Sequence, residues 1–319
     1  MKKLLVLVFV FCSFMSMRAQ HNVNFLFDDK GTMRTETVEL SQDSVIIVNH
    51  RSDDVVWSRV VYRIIDMRYK QNYQLYYPIL NDNEYRSLFK VILEGIAADD
   101  KPLPVYSKAL NPSDGIRPSF LDKDRVPLSD IPNLLESLEE GKQSAANRKE
   151  RRVLRADTIK NFAGDSIIDL VFVQTNFERV AKNQLKYVIQ EVVFFDKHYS
   201  RLYSKIMAIA PLRADMQNMT PDMPIMEALY NQLLFWIPFD ALRPYMAQQY
   251  VMPKASDKTR VTFDEFFAKK LYTSYVLGVS NMHNNRMIPD YVSTREEIKA
   301  EQDRIERELL DFELDLWEY

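Results

Sequence analysis

Two apolar runs rich in Val, Ile, Phe and Tyr, Lys186 to Phe195 and Leu202 to Ala210, flank the polar segment Asp196-Lys197-His198-Tyr199-Ser200. Two such runs around a short polar segment specify an antiparallel hairpin. A sheet with one face to bury needs a covering layer, so this hairpin constrains the rest of the chain more than any other feature. A third β-branched run, Ile167 to Gln174, supports the same region, and Pro211 is expected to end the last strand.

Helical spacing surrounds this centre. Trp57, Val60, Val61, Ile64 and Ile65 fall at i, i+3, i+4, i+7 and i+8, one face of a helix, although the β-branched content favours a strand. The period decides for a helix. Tyr73, Leu75 and Tyr77 alternate as in a short strand, and Leu88, Val91, Ile92, Gly95 and Ile96 return to helical spacing. Pro102, Pro104, Pro112, Pro118, Pro127 and Pro132 make residues 101–164 an irregular connection, with a short helix over Ile131 to Leu138 and a solvated basic run at 148–152. Thr220-Pro221 is a helix start, and Thr262 to Glu265 and Ser293 to Glu296 read as capping boxes. The expected class is α+β: an N-terminal helical layer, a central antiparallel hairpin region and C-terminal helices.

The N-terminus reads as an export signal. Lys2 and Lys3 precede an apolar run from Leu4 to Phe14, and Ala19 offers a cleavage point. Phe11 before Cys12 does not suit lipid attachment, so a mature chain from Gln20 would have no cysteine and no disulfide. The organisation expected is a signal peptide over 1–19, a polar arm over 20–51, a core over 52–292 as one body or two, and an acidic helix over 293–319. Loss of Lys2, Lys3 and Arg18 takes the basic count from 42 to 39 against 45 acidic residues. Residues 295–319 carry ten acidic and four basic residues, leaving the body neutral, which argues against a nucleic-acid partner.

Signatures of chemistry are few. Six glycines, none close together, make no dinucleotide fingerprint, P-loop or nucleophile elbow. Four histidines without i, i+4 spacing make no zinc helix, and His198 in the hairpin loop reads as a surface residue. Asn111 to Gly115 lacks the carboxylates of a calcium loop. No metal and no cofactor is expected. Paired carboxylates keep a peptidoglycan-active hydrolase open, and Tyr73, Tyr76 and Tyr77 keep open a glycan-binding module. Met216, Met219, Met223 and Met226 suit either core filling or an adaptable docking surface. In the acidic tail, Ile298, Gln302, Ile305, Leu309, Phe312 and Leu316 are spaced 4, 3, 4, 3 and 4, a heptad seam with one polar break. That stripe either packs on the protein's own body or docks a partner through Ile298, Ile305, Leu309, Phe312 and Leu316.

Several blocks together carry a resemblance. They are Trp57-Ser58-Arg59-Val60-Val61-Tyr62-Arg63-Ile64-Ile65-Asp66 with Tyr76-Tyr77-Pro78, then Glu191 to Lys197 with Ile209-Ala210-Pro211, then Phe235-Trp236-Ile237-Pro238, then Asn281 to Met287. In this order they resemble the GldN/PorN family of gliding motility and type IX secretion. The resemblance implies a non-catalytic periplasmic subunit that assembles with itself in a ring. The implied partners are a GldK/PorK-like outer-membrane lipoprotein and a GldM/PorM-like periplasmic protein. It carries over no catalytic residue.

Overall fold

The computed structural model describes residues 50–79, 85–98, 101–108, 116–135, 154–160, 166–172, 184–213, 224–253, 261–281 and 286–315. The signal segment, most of the arm, the basic run at 148–152, Asn111 to Gly115 and the Thr220-Pro221 start lie outside them.

Five antiparallel strands form one sheet. Its members are β1 (Val55–Asp66), β4 (Lys186–Asp196), β5 (Arg201–Leu212), β6 (Ile237–Pro238) and β7 (Ser274–Val279), in the order β6-β5-β4-β1-β7. A separate two-stranded ribbon pairs β2 (Leu154–Lys160) with β3 (Ser166–Phe172). The helices are α1 (Tyr73–Tyr76), α2 (Leu88–Ile96), α3 (Ile131–Leu135), α4 (Ile225–Gln232), α5 (Phe239–Ala247), α6 (Phe263–Ala268) and α7 (Arg295–Asp315). The class is α+β.

The hairpin read from sequence is β4 and β5, paired from Lys186↔Leu212 to Asp196↔Arg201. β5 runs through Pro211 rather than ending there. The Pro211 carbonyl accepts from Leu234 N at 3.1 Å. In a strand, a residue's nitrogen and carbonyl point the same way, so the missing donor faces Leu234 and the β4 ladder is intact.

Residues 55–66 are a strand, not a helix. β1 lies between β4 and β7 and is buried on both faces. Val60, Tyr62 and Ile64 enter the core on one side, while Val61 and Ile65 are buried on the other. The doublets Val60-Val61 and Ile64-Ile65 are adjacent residues facing opposite ways, and that arrangement reproduces the i, i+3, i+4 spacing of a helix. The N-terminal region therefore supplies a central strand, preceded by a single 3-10 turn over Ser52–Asp54, and its α-helical part begins only with α1. Tyr73 to Tyr76 form one helical turn instead of a strand, with Leu75 alone buried. β2 falls inside the stretch expected to be irregular.

One face of the sheet carries α2, α5 and α6 through Leu88, Ile92, Leu242, Met246, Phe263 and Phe267. The opposite face packs Val188, Val192, Phe194 and Met207 against Leu229, Leu233, Trp236 and Met287. α2 is enclosed almost all round, and Ser87 caps it by accepting from Lys90 N at 3.4 Å. Thr262 caps α6 by accepting from Glu265 N at 3.2 Å, one half of the expected capping box, while the Glu265 carboxylate pairs with Lys269. α7 starts one residue later than the expected box, with Thr294 Oγ1 accepting from Glu297 N at 3.3 Å.

Candidate functional site

α7 lies along the sheet. Ile305, 1% exposed, packs with Val61, Val276 and Ile288, and Ile298 and Leu309 flank it. Phe312 meets Trp57 with ring centroids 4.5 Å apart. Gln302, the polar break in the seam, donates through Nε2 to the Val276 carbonyl at 2.7 Å. The seam thus faces the protein's own body from Ile298 to Phe312, and Leu316 lies outside the described residues. Two ion pairs tie the helix to β1: Arg59 to Glu308 at 2.8 Å and Arg63 to Glu306 at 3.1 Å. Near-surface pairs of this kind contribute little each, so Ile305 carries most of the attachment. Beside Phe312, a cleft of about 450 Å³ opens between Trp57 and Arg59 on one wall and α7 on the other.

Arg63 also reaches inward, and this joins the helix to a buried charge network. Its Nε donates to Glu191 Oε2 at 3.0 Å, and Lys270 Nζ donates to Glu191 Oε1 at 2.7 Å. Glu191 pairs with Val61 across the strands and shares its face of the sheet. Burial pushes its carboxyl up, but Lys270 and Arg63 more than offset this and hold it below the ordinary range. Lys270 follows α6 at φ 50°, a left-handed conformation usually given to glycine. A lysine at that position places its amine on Glu191.

Two further pairs line a neighbouring pocket of about 210 Å³. Lys205 Nζ lies 2.9 Å from Asp240 Oδ2, and Arg243 grips Asp264 with bonds of 2.8 and 3.2 Å. Carboxylates do gather here, as a hydrolase would require, but Glu191 and Asp264 are hydrogen-bonded to cations, and Asp240, whose two buried oxygens make no hydrogen bond among the described residues, lies beside the Lys205 ammonium. A general acid at neutral pH needs its pKa raised. Every described carboxylate with a displaced pKa, namely Asp66, Glu191, Asp196 and Glu301, is displaced downward.

A third cluster closes the hairpin end. His50, 5% exposed at the end of the segment read as a surface arm, bonds through Nδ1 to Asp196 Oδ2 at 2.5 Å. Its ring packs against Phe194 and Tyr203. The other Asp196 oxygen accepts from the backbone of His198 and Tyr199, which shapes the turn. His198 itself is exposed. Among the described residues, no group of His, Cys, Asp and Glu is arranged to hold a metal. Tyr73 and Tyr77 are exposed with rings 5.1 Å apart, and Tyr76 packs against the core. Of the four methionines singled out, Met226 packs against the core, and the others lie outside the described residues.

None of the network was visible in the sequence, because Arg63, Glu191, Lys270 and Glu306 are far apart along the chain. The one local hint was Arg59 and Arg63 recurring inside an apolar segment.

Fold and site define an α+β protein with an antiparallel sheet between helical layers, a C-terminal helix strapped across it, and buried carboxylates closed on cations. The chain belongs to the GldN family: a family model described as gliding motility associated protein GldN matches residues 50–318. Membership ties it to gliding motility and to the type IX secretion machinery. No curated protein matches the chain. No helix among the described residues is long and apolar enough to cross a membrane.

Proposed function

We propose that the protein is a non-catalytic periplasmic scaffold subunit of the type IX secretion and gliding apparatus. It assembles in a ring and links a GldK/PorK-like outer-membrane lipoprotein to a GldM/PorM-like, motor-connected periplasmic protein. Export by the 1–19 signal delivers it to the periplasm, where it associates peripherally with the outer membrane through its partners. Family membership over residues 50–318 is the observation that carries this reading. The pairing of the buried carboxylates supports the non-catalytic part, since charges neutralised in place hold a sheet and its helices in register for bearing load.

The experiment is isolation of the tagged full chain from native envelopes, followed by incubation with purified peptidoglycan. Recovery with the lipoprotein, without release of soluble muropeptides, is the expected outcome. Muropeptide release that disappears on changing Asp240 or Asp264 to the amide overturns the scaffold in favour of a hydrolase. The glycan-binding alternative has one observation behind it, the exposed Tyr73 and Tyr77. It requires the chain to pellet with peptidoglycan and the Tyr73→Ala, Tyr77→Ala double variant to stay in solution.

A further inference from the structure

The seam of α7 is engaged with the sheet, but the outward side of the same helix is not. Leu310 and Leu314 are 53% and 54% exposed, one turn apart near the C-terminal end. A pair of large apolar side chains at i, i+4 forms a continuous ridge. Asp303, Glu306 and Asp311 stand around this ridge, all exposed, with Arg307 the one cation among them; Glu306 also reaches Arg63, and Asp311 and Arg307 border the Trp57 cleft.

The end of α7 is also charged against its own dipole. A helix C-terminus carries partial negative charge and favours Lys or Arg. The last described turn of α7, ending at Asp315, has no basic residue and holds Glu313 and Asp315, with Asp311 just before it. In the free protein these carboxylates raise the energy of the helix, and a cationic surface laid against them removes that penalty. Over Arg295–Asp315 there are nine acidic and four basic residues, so two copies of this face would repel each other.

We infer that the outward face of α7, centred on Leu310 and Leu314, docks into an apolar groove of another protein that is rimmed by lysine or arginine. This rests on the reading of the chain as an assembly subunit and assigns a contact within it. A partner using the seam would have to lift α7 off Val61 and Val276. The outward face needs no such step, so the helix binds the body on one side and the partner on the other.

The test uses the full chain in its native cells. One variant carries Leu310→Ser and Leu314→Ser, and a second carries Asp311→Lys and Asp315→Lys. The serine variant is expected to melt as the wild type does, because its altered side chains are exposed, and the lysine variant no lower than the wild type, because its charges suit the helix dipole. Recovery in the high-mass envelope fraction should fall about tenfold or more, the loss of one well-packed interface contact. A photo-crosslinking residue at position 310 should give an adduct with a different protein, attached to a peptide bearing Lys or Arg. Wild-type recovery of both variants, or an adduct only between copies of this chain, overturns the docking face while leaving the scaffold reading in place. If the wild-type chain itself runs as a monomer, the scaffold reading falls. The crosslink then decides the docking face alone, an adduct with a basic partner supporting it and none overturning it.

Discussion

Glu191 is 2% exposed and still held in its charged form, because Arg63 and Lys270 bond both of its oxygens. Glu191→Gln keeps the shape and removes the charge that both cations need. Lys270 is half exposed and regains water, which reduces the cost of breaking a buried pair to about 1–3 kcal/mol. Urea unfolding at pH 7 measures it. The pH dependence has a definite sign. A carboxyl whose folded pKa is lowered adds stability that is complete above its unfolded value, about 4, and is lost as pH falls through the folded value. Glu191, Asp66 and Asp196 are all lowered, so the protein should weaken on acidification below that point. The gap between wild type and Glu191→Gln should be widest at neutral pH and narrow as the pH falls below about 4. A gap that widens in acid contradicts the pairing.

At the scale of elements, β4 and β5 were legible because they have length, β-branched content and a polar turn between them. α7 was legible because its heptad spacing and cap are local. β1 is not legible in the same way: its Val-Val and Ile-Ile doublets serve two faces of a central strand, and spacing alone cannot separate that from one face of a helix. Tyr73 to Tyr77 alternate without being a strand, since the segment is one turn anchored by Leu75 and leaves two tyrosines in solvent. The ribbon strand β2 was concealed by the prolines before it. The charge network was beyond reach because its partners meet only through the fold, Arg63 and Glu306 being 243 residues apart. Two elements give predictions. Val192 is 0% exposed in the hairpin, so Val192→Asp should cost upwards of about 4 kcal/mol and appear as insoluble expression; a soluble variant of normal stability would show that face to be open. Ile305→Ala should weaken the attachment of α7 by about 2–4 kcal/mol. Amide exchange should then quicken across α7 while β4 and β5 stay protected, and unchanged exchange in α7 would mean that other contacts hold it.

For the whole molecule, sheet, helical cover and strap form connected layers: Arg63 on β1 joins Glu191 on β4 to Glu306 on the strap, and Lys270 after α6 ties the helical cover to the same carboxylate. Such a body transmits force with little deformation, since packed interiors are weakly compressible. The α7 ridge and the Trp57 cleft lie on the side of the strap. These properties suit a repeated part in a larger structure better than a solitary enzyme. The central claim is that the chain works as one of many copies in an envelope assembly. Mass measurement of single particles carrying the tagged chain, released gently from native envelopes, tests it most directly. The account predicts particles many times heavier than the 37.6 kDa chain, containing several copies of it together with a lipoprotein. Particles of monomer mass alone, from envelopes in which the lipoprotein assembly is intact, contradict it.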